Sequence, residues 1–281
     1  FLYDNKAFTE AIKYFKSAQI GDWEERILYC FYKLEKYEQF KQKLDILIKK
    51  KNCSPFLATL SAHYAQNFKT EDPYNFCPSP LDFTCHEQVP ELMENDQQLI
   101  KDLISDINTA EIVKRKYQYL FNGSSVEQSA GHIFRRPEKS FKKLHDALVN
   151  TINRYFLRYQ DENNEFIRSF PKDVSFSSAW FVKMQSGGHL SSHIHEEGWV
   201  SGAVYLAIPK DSGPGGQEGA IELSSDGDEY PRLHDEFEKK VILPNVGDVI
   251  FFPSSVFHRT IPFNSNEERI CIAFDVKPKL R

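Results

Sequence analysis

A chain of 281 residues is too long for one small core and short enough that two domains would each be modest, so one or two are expected. Hydrophobic residues at 41%, with 23 Phe and 13 Tyr, promise a sizeable buried core. A formal net charge of -5 without a long basic stripe argues against nucleic acid as partner, and no apolar run approaches the roughly 18 residues of a membrane span.

The 5 cysteines lack CxxC spacing and cannot all pair, which argues against a disulfide framework or zinc ribbon and suits a reducing, cytoplasmic setting. The chain opens at Phe1, inside a helical pattern, and is expected to be a piece of a longer or processed protein.

From Phe1 to Phe68 apolar residues recur at helical spacing: Phe8, Ala11, Ile12 and Phe15, then Ile27, Leu28, Phe31 and Leu34, then Tyr37, Phe40 and Leu44, then Leu57, Leu60 and Tyr64. Gly21-Asp22, Glu35-Lys36 and the stretch Asn52 to Pro55 separate these short amphipathic helices, and Ser54-Pro55 makes a good helix start. The basic run from Ile48 to Asn52 reads as a solvated helix end. Phe8, Ala11 and Phe15 are echoed by Tyr37, Phe40 and Leu44, a period of about thirty residues that resembles degenerate tetratricopeptide repeats. An ordinary helical bundle fits equally well.

Between Lys69 and Pro90, Pro73, Pro78 and Pro80 break any regular element, which places a domain boundary there: a helical domain over 1–80 and a second domain over 81–281. Helices from Glu91 to Ile107 and from Ser140 to Tyr159 are expected to buttress the strands of this second domain. From Val174 onward the period changes to two, in FSSAWFVKM, GWVSGAVYLAIP, GAIELSS, KKVILP, DVIFFPS, HRTIPF and RICIAFDV. Short strands without intervening helices imply an antiparallel jelly roll, so the fold class is α+β, an all-α repeat followed by a jelly roll.

His193 and His195 stand two apart, so strand alternation would point both at one face. His258 follows DVIFFPS through a turn that can bring it back beside them. Three neutral imidazoles, or two plus a water, would hold a divalent metal such as Fe(II). Arg269 opens the next strand, where a guanidinium can pair with a carboxylate bound across the metal, which suggests a keto-acid cosubstrate. Trp180 and Tyr205, on neighbouring strands, are candidate pocket walls for that cosubstrate.

HIHEEGWVSGAVYLAIP, SGPGGQEGAIEL and VGDVIFFPSSVFHRTIPFNSNEERICIAF stand in the order of the 2-oxoglutarate and iron(II)-dependent oxygenases. Over Ser177 to Val276 the chain resembles, more closely, the bacterial oxygenases with a core of HxH, SGxxYL, a Gly-rich turn, GDxxxFPSxxxH and a late Arg. The resemblance implies a double-stranded β-helix, iron on His193 and His258, 2-oxoglutarate on Arg269 and the metal, use of dioxygen, and hydroxylation of a substrate with release of succinate and CO2. Peptide, protein and small-molecule substrates all fit. A peptide or protein held by the helical repeats is suggested by analogy with aspartyl/asparaginyl hydroxylases that carry such repeats.

This chain departs from the family at two places. His195 stands where the common triad has Asp or Glu; it binds iron, supports the ligands from behind or meets the substrate, while Glu196 or Glu197 offers an alternative carboxylate. Cys271 stands where many relatives place a Ser or Thr near the distal carboxylate. His63, His86, His132, His145 and His234 lack ligand spacing and read as surface or capping residues, and His189 as loop. Gly213, Gly215 and Gly216 read as a flexible loop beside the pocket. Competing functions are a three-histidine cupin-type dioxygenase without a keto acid and a non-catalytic peptide-binding jelly roll.

Overall fold

The computed structural model describes residues 5–50, 53–109, 114–115, 121–122, 126–210 and 215–277. Phe1, the end of the basic run at Lys51 and Asn52, and Gly213 lie outside the described residues. The amphipathic N-terminal stretch forms α1 (Phe8–Ala18), α2 (Trp23–Lys33), α3 (Tyr37–Lys49) and α4 (Pro55–Asn67), with their apolar stripes buried. The Ser54 hydroxyl accepts the Leu57 N–H at 3.1 Å, the N-cap that Ser-Pro predicts.

All seven expected strands are present: β5 (Phe176–Met184), β7 (Val200–Ala207), β8 (Ile221–Ser224), β9 (Lys239–Ile242), β10 (Asp248–Pro253), β11 (Phe257–Thr260) and β12 (Arg269–Val276). Shorter strands join them: β1 (Cys85–Gln88), β2 (Lys114–Arg115), β3 (Phe121–Asn122), β4 (Val126–Ser129) and β6 (His189–Leu190). The larger sheet runs β1-β10-β7-β12-β5-β4-β2, the smaller one β11-β8-β9, and β3 pairs with β6, all antiparallel.

Alternation gives the larger sheet two different faces. Ile270, Ile272, Phe274 and Val276 of β12 pack with Leu103, Leu144 and Leu148 of the buttressing helices α6 (Gln98–Thr109) and α7 (Lys139–Tyr159). Val182, Tyr205, Phe252 and Cys271, on the opposite face, share a second core with Ile221, Leu223 and Ile242 of the smaller sheet. The interior between the two sheets is where the predicted site residues lie.

Two sequence expectations are corrected. The helix from Glu91 to Ile107 is split into α5 (Pro90–Met93) and α6, because Asn95, Asp96 and Gln97 carry φ of 47°, 54° and 59°, a left-handed run that Asn and Asp tolerate best. The proline-rich stretch holds β1, an edge strand whose partner β10 is distant in sequence and therefore invisible to local pattern. Packing continues across the change of secondary structure near residue 80, for Leu28, Tyr32, Phe56 and Leu57 join one cluster with Tyr230 and Phe257. A four-residue helix, α8 (Glu165–Arg168), completes the elements. Among the described residues no helix is long and apolar enough to cross a membrane, and all five cysteines are free thiols.

Candidate active site

The chain leaves β10, turns at Ser254 to Val256 and returns as β11, which sets His258 against His193. Their backbones exchange hydrogen bonds, His193 N–H to His258 O at 3.1 Å and His258 N–H to His193 O at 2.9 Å. His195 is held by its own N–H to Ser254 O at 3.3 Å. One ring nitrogen from each of the three histidines lies within 4.8 Å of the other two, and the Nε2 atoms of His193 and His195 are 3.3 Å apart.

Each ring has an acceptor behind it. Nδ1 of His193 donates to Ser191 O at 2.7 Å, Nδ1 of His258 to Val256 O at 3.3 Å, and Nδ1 of His195 to the Asp275 carboxylate at 2.5 Å. Protons placed on Nδ1 leave the three Nε2 lone pairs free to face one another. Burial pushes His193 down to about 4, helped by the neighbouring His195, and pushes His258 well below its ordinary value, helped by both other rings. Neutral imidazoles are what a metal requires.

Asp275 was not singled out from the sequence, though one signal was there: it is a lone acid in the apolar run RICIAFDV, on the same alternating face as Arg269. Burial alone would raise its carboxyl, but the charge and hydrogen bond of His195, with hydroxyls from Ser201 at 2.7 Å and Ser178 at 3.0 Å, hold it below the ordinary range. Gly198 makes room for this network, since a Cβ there would sit 2.6 Å from Ser254 Oγ and 3.1 Å from Asp275 Oδ1.

Arg269 is only 2% exposed, yet no carboxylate pairs with it among the described residues. Its Nε donates to Gly219 O at 2.9 Å, its guanidinium lies 5.0 Å from the centre of the Tyr205 ring, and Nη1 points at the sulfurs of Met184 (3.9 Å) and Cys271 (3.7 Å). The Tyr205 hydroxyl is buried without a hydrogen-bond partner among the described residues. Burial pushes the Cys271 thiol up despite Arg269, so it stays neutral. A buried, uncompensated guanidinium beside an orphan hydroxyl is costly unless an anion completes it.

Histidines, Arg269, Tyr205, Cys271 and Trp180 all line one cavity of about 430 Å³. The Trp180 ring is 5.4 Å from His195. Glu196 does not join the histidine cluster: its carboxylate is taken by Arg26 of α2 in a two-pronged pair, one prong at 3.0 Å. Glu197 reaches the cavity wall but stands outside the cluster. His189 lies in β6, its Nδ1 donating to Gly187 O at 3.0 Å, away from the cluster. His63, expected at the surface, is 1% exposed: Tyr32 donates to its Nδ1 at 2.6 Å and its Nε2 donates to Asp226 at 3.0 Å. Helical periodicity placed it on α4, but only docking of α4 against the β-region buries it.

Residues 178–275 match the family model described as "Putative 2OG-Fe(II) oxygenase". This stretch, which holds the three histidines and Arg269, is similar to the 2OG-Fe(II) oxygenases. The oxygenase accordingly works with Fe(II), 2-oxoglutarate and dioxygen. Its three clustered imidazole nitrogens suit Fe(II), and its guanidinium, unpaired with any carboxylate among the described residues, suits the far carboxylate of a dicarboxylic keto acid.

Solved structures similar to the oxygenase include a Pseudomonas putida prolyl-4-hydroxylase, at 12% identity and TM-score 0.47, covering 70% of this chain and 93% of that one. HygX from Streptomyces hygroscopicus, with nickel and 2-oxoglutarate bound, is 12% identical at TM-score 0.48, covering 73% of this chain and 88% of that one. A Trichoplax adhaerens prolyl hydroxylase in complex with a hypoxia inducible factor oxygen degradation domain peptide fragment is 12% identical at TM-score 0.46, covering 78% and 89%. No curated protein matches the sequence.

Proposed function

We propose that the oxygenase hydroxylates a carbon of its substrate, with iron held by His193, His195 and His258 and 2-oxoglutarate held by Arg269 and Tyr205. The observation that carries this reading is Arg269, a buried guanidinium without a counter-charge among the described residues, opening into the same cavity as three histidines whose Nδ1 positions are all engaged. Iron in that position supplies the activation of dioxygen that couples oxidation of 2-oxoglutarate to succinate and CO2 with oxygen insertion into a C–H bond.

The chain's own residues do the rest. Asp275 fixes the His195 tautomer and ring plane, so that Nε2 faces the other two rings. Arg269 and Tyr205 fix one end of the cosubstrate, which orients its keto-acid end toward the histidines. Val182, Met184, Ile221 and Phe252 line the cavity and keep water from the reacting groups. Cys271, where many relatives place a Ser or Thr, offers only a weak thiol contact to the cosubstrate.

A cavity of about 430 Å³ lies at the low end of ligand-pocket sizes and must also admit the cosubstrate. We infer a substrate that inserts a side chain or small group, as a peptide, a protein or a small molecule would. Four short helices in succession, with α1 packed on α2 and α2 on α3, support the reading of the N-terminal region as a tetratricopeptide-like layer on a double-stranded β-helix.

The test is anaerobic addition of Fe(II) and 2-oxoglutarate. Wild type should develop a visible charge-transfer band and form succinate in air; His258→Ala should lose both, and Arg269→Ala should keep metal but lose the band. A wild-type protein that binds neither ligand, or forms succinate equally well with Arg269→Ala, sinks the reading.

A further inference from the structure

A charged contact joins the helical region to the segment that carries His193 and His195. Between His195 and Trp199 the chain makes a tight turn, closed by Gly198 N–H to His195 O at 3.2 Å, with Glu196 and Glu197 at its corners. Arg26 of α2 grips the Glu196 carboxylate with both guanidinium arms. Arg26 is itself fixed: it pairs with Asp22 at 2.7 Å and lies 4.6 Å over the centre of the Phe56 ring of α4. A crevice of about 200 Å³ at this junction is lined by Arg26, Phe56, Glu196 and His193.

We propose that Arg26 is a positioning residue for the metal centre, holding the His193 to His195 segment in ligand geometry through Glu196. The inference rests on the three-histidine reading of that centre. A planar two-pronged pair fixes the orientation of its carboxylate as well as its distance, unlike a single contact. The turn that carries Glu196 links the ligand His195 directly to β7, so tilting the turn tilts the ring that Asp275 holds from the other side.

Docking of the helices does not depend on this pair. Thr59 donates to Ser255 O at 2.6 Å, His63 pairs with Asp226 and Lys33 with Asp228. Loss of the Arg26 pair should therefore leave the helices in place and change only the ligand segment.

Co(II), a spectroscopic stand-in for Fe(II), is titrated into the metal-free protein, and the midpoint is read from its visible absorption beside the melting temperature. Arg26→Ala and Glu196→Gln should each weaken Co(II) binding by about tenfold, as expected for residues that orient ligands, and the double variant should be no weaker than either. The charge swap Arg26→Glu with Glu196→Arg should recover part of the loss. Lys33→Ala, which removes a docking contact away from the histidines, should leave the midpoint unchanged. Midpoints within twofold of wild type for Arg26→Ala and Glu196→Gln, additive losses, or an equal loss in Lys33→Ala overturn the proposal. Failure of wild type to bind Co(II) at all overturns the metal centre itself, so the two failures are distinguishable.

Discussion

Arg269 and Tyr205 show how a single buried group can announce a missing ligand. An unsatisfied buried hydroxyl costs about 1–3 kcal/mol, so Tyr205→Phe should leave the ligand-free protein as stable as wild type or more so, while raising KM for 2-oxoglutarate. Calorimetry and steady-state kinetics check both halves; a destabilised variant with unchanged KM would mean that the hydroxyl serves packing alone. Asp275→Ala removes the acceptor behind His195 and should weaken metal affinity by about 10–100-fold, read by anaerobic titration. Retention of full affinity would show that His195 needs no orientation, or does not bind metal.

At the scale of elements, the turn before β7 and the docking of α4 are the sensitive places. Gly198→Ala places a methyl against Ser254 and Asp275, with a cost of about 1–3 kcal/mol for overpacking. The expected outcome is a lower melting temperature together with weaker metal binding, and a variant with unchanged metal affinity would separate the turn from the site. His63 links α4 to Asp226, and burial lowers its pKa from the ordinary 6.5. Below 6.5 the unfolded chain binds the proton more readily than the folded one, so this contribution is full above 6.5 and declines as pH falls toward the folded pKa. Melting temperature should therefore fall less steeply from about pH 7 to pH 5 in His63→Gln than in wild type; parallel curves would exclude His63 as the cause.

Across the whole molecule, the helical layer and the β-region share packing, with Tyr230 and Phe257 sealed beneath α2 and α4. Deleting residues 1–80 would expose that apolar surface and remove the Arg26 contact with Glu196. The fragment 81–281 should aggregate or melt well below the intact chain, as size-exclusion chromatography and circular dichroism would show. A soluble fragment of undiminished melting temperature would instead mark two independent domains.

Much of this was legible in the linear chain, because the relevant signals are local. Period-two alternation located all seven strands after Val174, and it put Arg269 on the same face of β12 as the acid later found behind His195. The spacing of His193 and His195 and the turn before His258 were enough to nominate the cluster, since strand geometry dictates which side chains share a face. What local pattern could not decide depends on residues distant in sequence that meet only in the fold. Where the side chains of His195 and Glu196 point depends on Asp275 and Arg26, which reach that turn from β12 and α2. The edge strand β1 and the burial of His63 likewise depend on partners more than a hundred residues away, β10 and Asp226. Hydrogen bonds and burial are properties of neighbours in space, so tertiary structure alone could assign them.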